Sequence, residues 1–201
     1  MFVFPYHNNI SLVSIILEFI AIGFSISSVV FAQKNHIYLY PIGIVSTTIY
    51  SYLTFVTSLY GDFIINIYYT GMSFYGWYIW IYKKDKKNKK ISITFSNKKD
   101  YFYTALLFVF TCIFSSMVYS FNGKIKNNSD WMDVFTTGIF FSGMYQMAMK
   151  KVENWIFWIV GNIISIPLYF LKGLVLTGLL FILLTVLAIE GYVIWNKEAK
   201  N

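Results

Sequence analysis

Residues 154–195 read NWIFWIVGNIISIPLYFLKGLVLTGLLFILLTVLAIEGYVIW, with one lysine and one glutamate as the only charged residues. The apolar residues form two runs, 155–171 and 174–195, and each has the roughly 17–25 residues that a helix needs to cross a bilayer. They follow one another continuously instead of at alternate positions, so helices are favoured over the strands of a membrane barrel. This stretch therefore predicts two membrane-spanning helices.

The rest of the chain has the same apolar character. Of its 201 residues, 57% are hydrophobic and 12% are charged, against about 25% charged in a soluble domain. This composition excludes a soluble enzyme and a disordered chain, and the single cysteine, Cys112, excludes a disulfide scaffold. We predict an all-α membrane protein with seven transmembrane helices. The predicted spans are Ser11–Ala32, Tyr38–Ser58, Asp62–Tyr82, Tyr101–Phe121, Trp131–Met149, Trp155–Leu171 and Leu174–Trp195.

The basic residues are distributed very unequally between the predicted loops. All sixteen are lysines, and seven spans place thirteen of them on one side, leaving Lys124, Lys126 and Lys172 on the other. Because lysine-rich loops stay in the cytoplasm, we expect the N-terminus outside and the C-terminus in the cytoplasm. The run KKDKKNKK at 83–90 is then a topology determinant beside anionic lipid headgroups, and we expect no nucleic-acid partner.

Two copies of a similar motif indicate an internal repeat. Residues 76–80 read GWYIW and residues 191–195 read GYVIW, an offset of 115. The same offset places Tyr40 on Trp155, and it aligns spans 1–3 with spans 5–7. The second repeat begins four spans after the first, so both repeats start on the same side of the membrane and run in the same direction. Transporters use this symmetry. We predict a first three-helix bundle at 1–82, a lysine-rich loop and linker helix at 83–130, and a second bundle at 131–201.

Span 6 carries the strongest candidate for a ligand site. Trp155, Trp158, Asn162 and Ser165 share one face of a helix. Two indoles with an amide and a hydroxyl suit a flat aromatic ligand that also carries polar groups. Trp155 has an alternative role as an interfacial aromatic residue, because it starts its span at the predicted cytoplasmic side.

Other polar residues inside the spans add to this set. Asn66 and Tyr69 lie on one face of span 3, and Gln146 lies near the end of span 5. Such residues either hydrogen-bond between helices or bind a ligand. Asp133 is a candidate for proton coupling or for a hydrated location. His7 and His36 have no metal-ligand spacing, and there is no Walker A motif, so we predict neither a metal nor another cofactor.

Residues 154–195 and 40–80 resemble the two halves of the PnuC nicotinamide riboside transporters. The most specific parts are Asn154 with Trp155 and Trp158, and Tyr75-Gly76-Trp77. The resemblance implies two three-helix bundles and a linker helix, similar to the SWEET sugar transporters. It also implies a homotrimer in the bacterial inner membrane.

The resemblance further implies facilitated diffusion of nicotinamide riboside without ATP, followed by trapping through intracellular phosphorylation. It places Trp155, Trp158, Asn162, Asn66 and Tyr69 around the substrate. Asn66 stands where glutamine is frequent, so thiamine, riboflavin or a deoxynucleoside remains an alternative substrate. A membrane enzyme or a structural subunit is an alternative of a different class. An enzyme predicts converging catalytic groups, which the sequence does not offer.

Overall fold

The computed structural model describes residues 12–56, 60–84, 90–121, 128–171 and 175–201. These residues form seven helices, as the sequence predicts, and no strand beyond isolated bridges. The last helix continues five residues past the predicted end at Trp195, and it finishes with lysines that favour a helix C-terminus. The helices are α1 (Leu12–Gln33), α2 (Leu39–Val56), α3 (Tyr60–Tyr82), α4 (Lys98–Phe121), α5 (Asn128–Ala148), α6 (Asn154–Leu171) and α7 (Val175–Lys200).

Five of the helices, α1, α2, α4, α6 and α7, are long and apolar enough to cross a membrane. The other two, α3 and α5, have 23 and 21 residues, which is also long enough to cross. Their sequences are more polar, and several of their polar side chains, such as Ser73 and Thr136, are buried inside the protein. These polar groups are therefore sheltered from lipid by the neighbouring helices.

Six of the helices form a closed ring. Each of α1, α2, α3, α5, α6 and α7 contacts the next, and α7 contacts α1, while α4 packs outside the ring against α5. We call α1–α3 the first half and α5–α7 the second half. The halves meet at two seams, one between α1 and α7 and one between α3 and α5. The offset of 115 maps each seam onto the other.

The repeat extends to the backbone of the turns. Asn35 and Lys150, which are 115 residues apart, end α1 and α5 in the left-handed region, with φ of 52° and 54°. In both turns the left-handed residue donates its amide to the carbonyl three residues earlier, and the next residue donates to the carbonyl five residues earlier. This is the Schellman arrangement that closes many helices.

In each half, a large aromatic ring at the start of one helix packs against a glycine of the next. A Cβ built on Gly76 would lie within 2.6 Å of the Tyr40 ring, and one built on Gly191 would lie 2.6 Å from the Trp155 ring. These pairs are again related by the offset of 115. Glycine is required at both positions because any side chain would overlap the ring.

Two further tryptophans complete an aromatic cluster at this end of the ring. Trp80 contacts Tyr40 edge to face at 5.1 Å between ring centroids, and Trp195 contacts Trp155 edge to face at 5.6 Å. Trp80 and Trp195 lie 6.3 Å apart, so they join the two halves. We call Tyr40, Trp80, Trp155 and Trp195 the aromatic cluster.

The segment before α4 covers the aromatic cluster from outside the ring. Ile93 is buried against the cluster, and Thr94 exchanges backbone hydrogen bonds with the turn between α5 and α6. The Glu153 carboxylate accepts hydrogen bonds from the Ser96 amide and hydroxyl. All lysines in the described ranges lie at this end of the ring, at or near the ends of α1, α3, α5 and α7 and the start of α4. We call it the lysine-rich end.

Replacement of Gly191 by alanine is expected to lower the midpoint of thermal unfolding in detergent. The added Cβ would overlap the Trp155 ring, and overpacking of a core typically costs about 1–3 kcal/mol. Gly23→Ala is the matched control, because Gly23 also lies in a helix but has no atom within 4 Å of its Cβ position. Equal midpoints for the two variants would contradict this role of Gly191.

Candidate functional site

The ring of helices encloses a cavity of about 340 Å³. This volume lies within the range of small-molecule binding sites. Its floor is formed at the lysine-rich end, where Trp155 of the aromatic cluster lies beside Ala32 and Met147. From there the cavity extends towards the opposite ends of the helices, where Asp133 and Tyr169 line it. All six helices of the ring contribute side chains.

The structure brings together five of the six predicted site residues. Trp155, Trp158 and Asn162 of α6 line the cavity together with Asn66 and Tyr69 of α3. The helical spacing predicts one face for the α6 residues and one face for the α3 residues. In the structure both faces point into the ring. These residues therefore form one candidate binding site.

Gln146, the sixth predicted residue, does not line this cavity. Its Nε2 donates to Thr104 Oγ1 at 2.6 Å, and its Oε1 lies 2.9 Å from the Ser96 hydroxyl, whose single proton it shares with Glu153 Oε2. The side chain is completely buried. Gln146 thus joins α5 to α4 and to the segment that covers the aromatic cluster.

The two tryptophans have different surroundings. Trp155 is 1% exposed and packs on Gly191, so it lies inside the bundle and not at a lipid interface. Trp158 covers Gly143, and its ring stacks on Phe140 with 5.6 Å between centroids. Trp158 thereby presents a flat aromatic surface on the second-half side of the cavity.

Asn162 is the buried amide of the site. It is 3% exposed, and the structure gives it no hydrogen-bond partner among the described residues. Its counterpart in the first half is Thr47, whose hydroxyl accepts a hydrogen bond from Thr70 at 2.7 Å. Asn162 lines the cavity, where a ligand with both donors and acceptors can form hydrogen bonds with its amide.

The two walls of the cavity differ in chemistry although the repeat relates them. Where the second half has Trp158 and Phe140, the first half has Gly43 and Ser25 at equivalent positions. The first half adds further hydroxyl groups along α1 and α2. We call these first-half residues the hydroxyl wall: Ser25, Ser28, Ser46 and Thr47.

Sequence reasoning missed the hydroxyl wall, although a signal was present. Ser46 and Thr47 follow Gly43 at helical spacing, as Gly161 and Asn162 follow Trp158. Comparison of the two halves at an offset of 115 would have found them. Serine and threonine are common in membrane helix packing, so their types alone gave no indication of a site.

The charge of the lining is acidic. Asp133 is the one charged residue that lines the cavity within the described ranges, and the lining there contains no lysine or histidine. A carboxylate in a cavity of low dielectric favours cations over anions. The site is therefore suited to a neutral or cationic ligand.

Residues 15–197 match the family model of the nicotinamide mononucleotide transporters. The chain belongs to this family. Nicotinamide riboside transporter PnuC of Escherichia coli K12 is 22% identical over 188 residues, which cover 81% of this chain and 77% of the relative. The PnuC protein of Neisseria mucosa is 24% identical over 189 residues, with 86% and 69% covered.

The fold of this family member matches a crystal structure of the vitamin B3 transporter PnuC. The TM-score is 0.68 at 22% identity, and the match covers 92% of this chain and 82% of the other. The resemblance predicted from the sequence is confirmed. Each of these relatives is named as a transporter and not as an enzyme.

Gln146→Ala is expected to destabilise the protein, whereas Asn162→Ala is not. The first change removes both side-chain hydrogen bonds of a completely buried amide, at a cost of about 1–3 kcal/mol. The second change removes an amide with no partner. Thermal unfolding of both purified variants without ligand measures the difference, and a larger loss for Asn162→Ala would contradict the assignment.

Proposed function

We propose that this chain transports nicotinamide riboside by facilitated diffusion across the bacterial inner membrane. The observation that carries the proposal is a cavity lined by the Trp158 and Phe140 rings (the aromatic wall) in the second half and by the hydroxyl wall in the first half. A nucleoside has the same division, because a flat base is joined to a sugar that carries hydroxyl groups.

The aromatic wall fits the nicotinamide ring. Trp158 and Phe140 present stacked rings to the cavity, and the pyridinium ring of nicotinamide riboside is flat and positively charged. Contact between a cation and an indole contributes roughly 0.5–2 kcal/mol, and Asp133 adds a favourable charge. The amide of Asn162 offers a donor and an acceptor to the carboxamide of the ligand.

The hydroxyl wall fits the ribose. The Ser28 hydroxyl donates to the Leu39 carbonyl at 2.8 Å, and the Ser46 hydroxyl donates to the Ala21 carbonyl at 2.8 Å. With their hydrogens used in this way, both oxygens can only accept hydrogen bonds from a ligand. Sugar hydroxyls supply those donors.

The cavity favours the riboside over the mononucleotide. A phosphate that enters it must lose its hydration, and the described lining has no cationic side chain to compensate for that cost. Phosphorylation inside the cell would then trap the vitamin, because the product no longer fits the site. The same argument explains how net uptake can proceed without an ion gradient.

Thiamine is the alternative substrate with specific support. It also has a cationic ring that suits Asp133 and Trp158. The hydroxyl wall favours a ribose over the single hydroxyethyl group of thiamine, so we place nicotinamide riboside first.

The remaining parts of the proposal concern orientation and assembly. The lysine-rich end is assigned to the cytoplasm, since all described lysines lie there. A homotrimer is proposed from the family resemblance. The large exposed apolar side chains of α4, such as Phe102 and Phe110, are available to contact lipid or a second copy.

Purified protein in liposomes is expected to equilibrate nicotinamide riboside without ATP and independently of a pH gradient. Nicotinamide mononucleotide is expected to be excluded, and thiamine and riboflavin are to be compared in parallel. Uptake of labelled compounds measures this, with protein-free liposomes as the control. Preferred uptake of thiamine would replace the substrate, and a requirement for a pH gradient would contradict facilitated diffusion.

Trp158→Ala is expected to reduce the affinity for nicotinamide riboside roughly 5- to 30-fold. Loss of an aromatic stacking surface with a cationic ligand removes about 1–2 kcal/mol. Phe110→Ala is the matched control, because Phe110 is 65% exposed on the outside of α4. Titration of the purified variants measures both affinities, and an unchanged affinity of Trp158→Ala would remove this residue from the site.

A further inference from the structure

The two seams between the halves are built differently at the lysine-rich end. A ligand that leaves the cavity there must pass the aromatic cluster, whose Trp155 lines the floor. The cluster spans both halves through the contact of Trp80 with Trp195. Opening therefore requires at least one seam to separate at this end.

The seam between α1 and α7 is held by several hydrogen bonds. Gln33 Nε2 donates to the Leu187 carbonyl at 2.6 Å, and Trp195 Nε1 donates to the Ala32 carbonyl at 3.0 Å. Both donors are buried. Each buried hydrogen bond contributes about 1 kcal/mol, and breaking it leaves an unsatisfied group.

A further hydrogen bond at the edge of this seam joins Asn35 to Glu198. Asn35 Nδ2 donates to Glu198 Oε1 at 2.9 Å. The α1–α7 seam is thus bonded from the buried Gln33 out to the surface, and separating its helices would break all of these contacts together.

The equivalent positions of the seam between α3 and α5 lack these bonds. Ala148 stands at the position equivalent to Gln33, and its side chain has no hydrogen-bond donor. Trp80 replaces Trp195, and its buried Nε1 has no partner among the described residues. Lys83 stands at the position equivalent to Glu198, and its Nζ donates to the weakly accepting Met149 Sδ at 3.3 Å.

Lys150, in the turn after α5, contacts both α3 and the end of α1 at this end of the ring. Its Nζ lies 4.0 Å from the centre of the Trp80 ring, and it donates a hydrogen bond to Asn35 Oδ1 at 2.8 Å. Burial lowers the pKa of Lys150 to about 8, while Glu198 partly offsets this effect. The buried ammonium is thus held by a ring face and an amide oxygen instead of a carboxylate.

We propose that the lysine-rich end opens along the α3–α5 seam, with Lys150 as the latch and the α1–α7 seam as the hinge. At the lysine-rich end, the polar contacts across α3–α5 among the described residues are the Lys150–Trp80 cation–π contact and the weak Lys83–Met149 hydrogen bond. A series of hydrogen bonds opposes separation at α1–α7. This proposal rests on the proposed transporter function in one respect, which is that a transporter's cavity must open at this end. It does not depend on which substrate is carried.

Spin-label distances across the two seams test this proposal directly. Lys83→Cys with Met149→Cys spans the α3–α5 seam. Lys34→Cys with Glu198→Cys spans the α1–α7 seam at the repeat-equivalent positions. Both pairs are made in a Cys112→Ser background and measured by pulsed electron paramagnetic resonance in reconstituted protein. We expect a second, longer distance at the first pair and a single distance at the second.

Lys150→Met, which keeps the apolar stem and removes the cation, strengthens the test. We expect it to raise the ratio of long to short distances at the 83/149 pair by roughly 2- to 30-fold, the equivalent of one cation–π contact. Lys84→Met is the charge-matched control, because Lys84 is exposed at the end of α3. It should leave the ratio unchanged.

The outcomes separate the alternatives. Equal lengthening at both pairs, lengthening at the 34/198 pair alone, or no long distance at the 83/149 pair in Lys150→Met would each overturn the proposal. Since no substrate is needed, the result is independent of nicotinamide riboside uptake. Failure of transport in liposomes therefore leaves this test intact, and the reverse also holds.

Discussion

The contact of an aromatic ring with a glycine backbone, made once in each half, underlies the rest of this structure. Trp155 can lie against α7 only because Gly191 has no side chain, and Tyr40 lies against α3 for the same reason. These contacts bring the lysine-rich ends of the helices together and form the floor of the cavity. Farther from this end, the same helices leave space between their polar and aromatic side chains. Close packing at one end and a cavity above it are thus two results of one constraint.

The repeat carries this packing into both halves, but the residues that face the cavity have diverged. Gly43 and Trp158 occupy equivalent positions, and so do Thr47 and Asn162. An identical pair of walls would offer a ligand the same chemistry twice. Divergence instead provides a ring surface and a set of hydroxyl groups, which suits a ligand with two unlike ends.

Much of this architecture is predictable from the sequence, because long apolar runs and an offset of 115 specify helices and their relation. The inward faces of α3 and α6 also follow from helical spacing. The role of Gln146 does not, since spacing gives the face of a helix but not the neighbour that this face meets. Its face meets Thr104 and Ser96, which lie far away in the chain. Trp155 was ambiguous for a related reason, because depth along a helix does not distinguish burial from exposure to lipid.

Asn35 and Lys150 are equivalent residues that touch each other, as the hydrogen bond between them shows. Equivalent residues meet only where the axis that relates the two halves passes between them. In a dimer of two identical three-helix chains, this position would have to bond to its own copy. Two lysines there would repel each other, so the asymmetric pair requires two halves of different sequence, which a single polypeptide provides. Joining the halves covalently thus allows a residue on the symmetry axis to have a partner unlike itself.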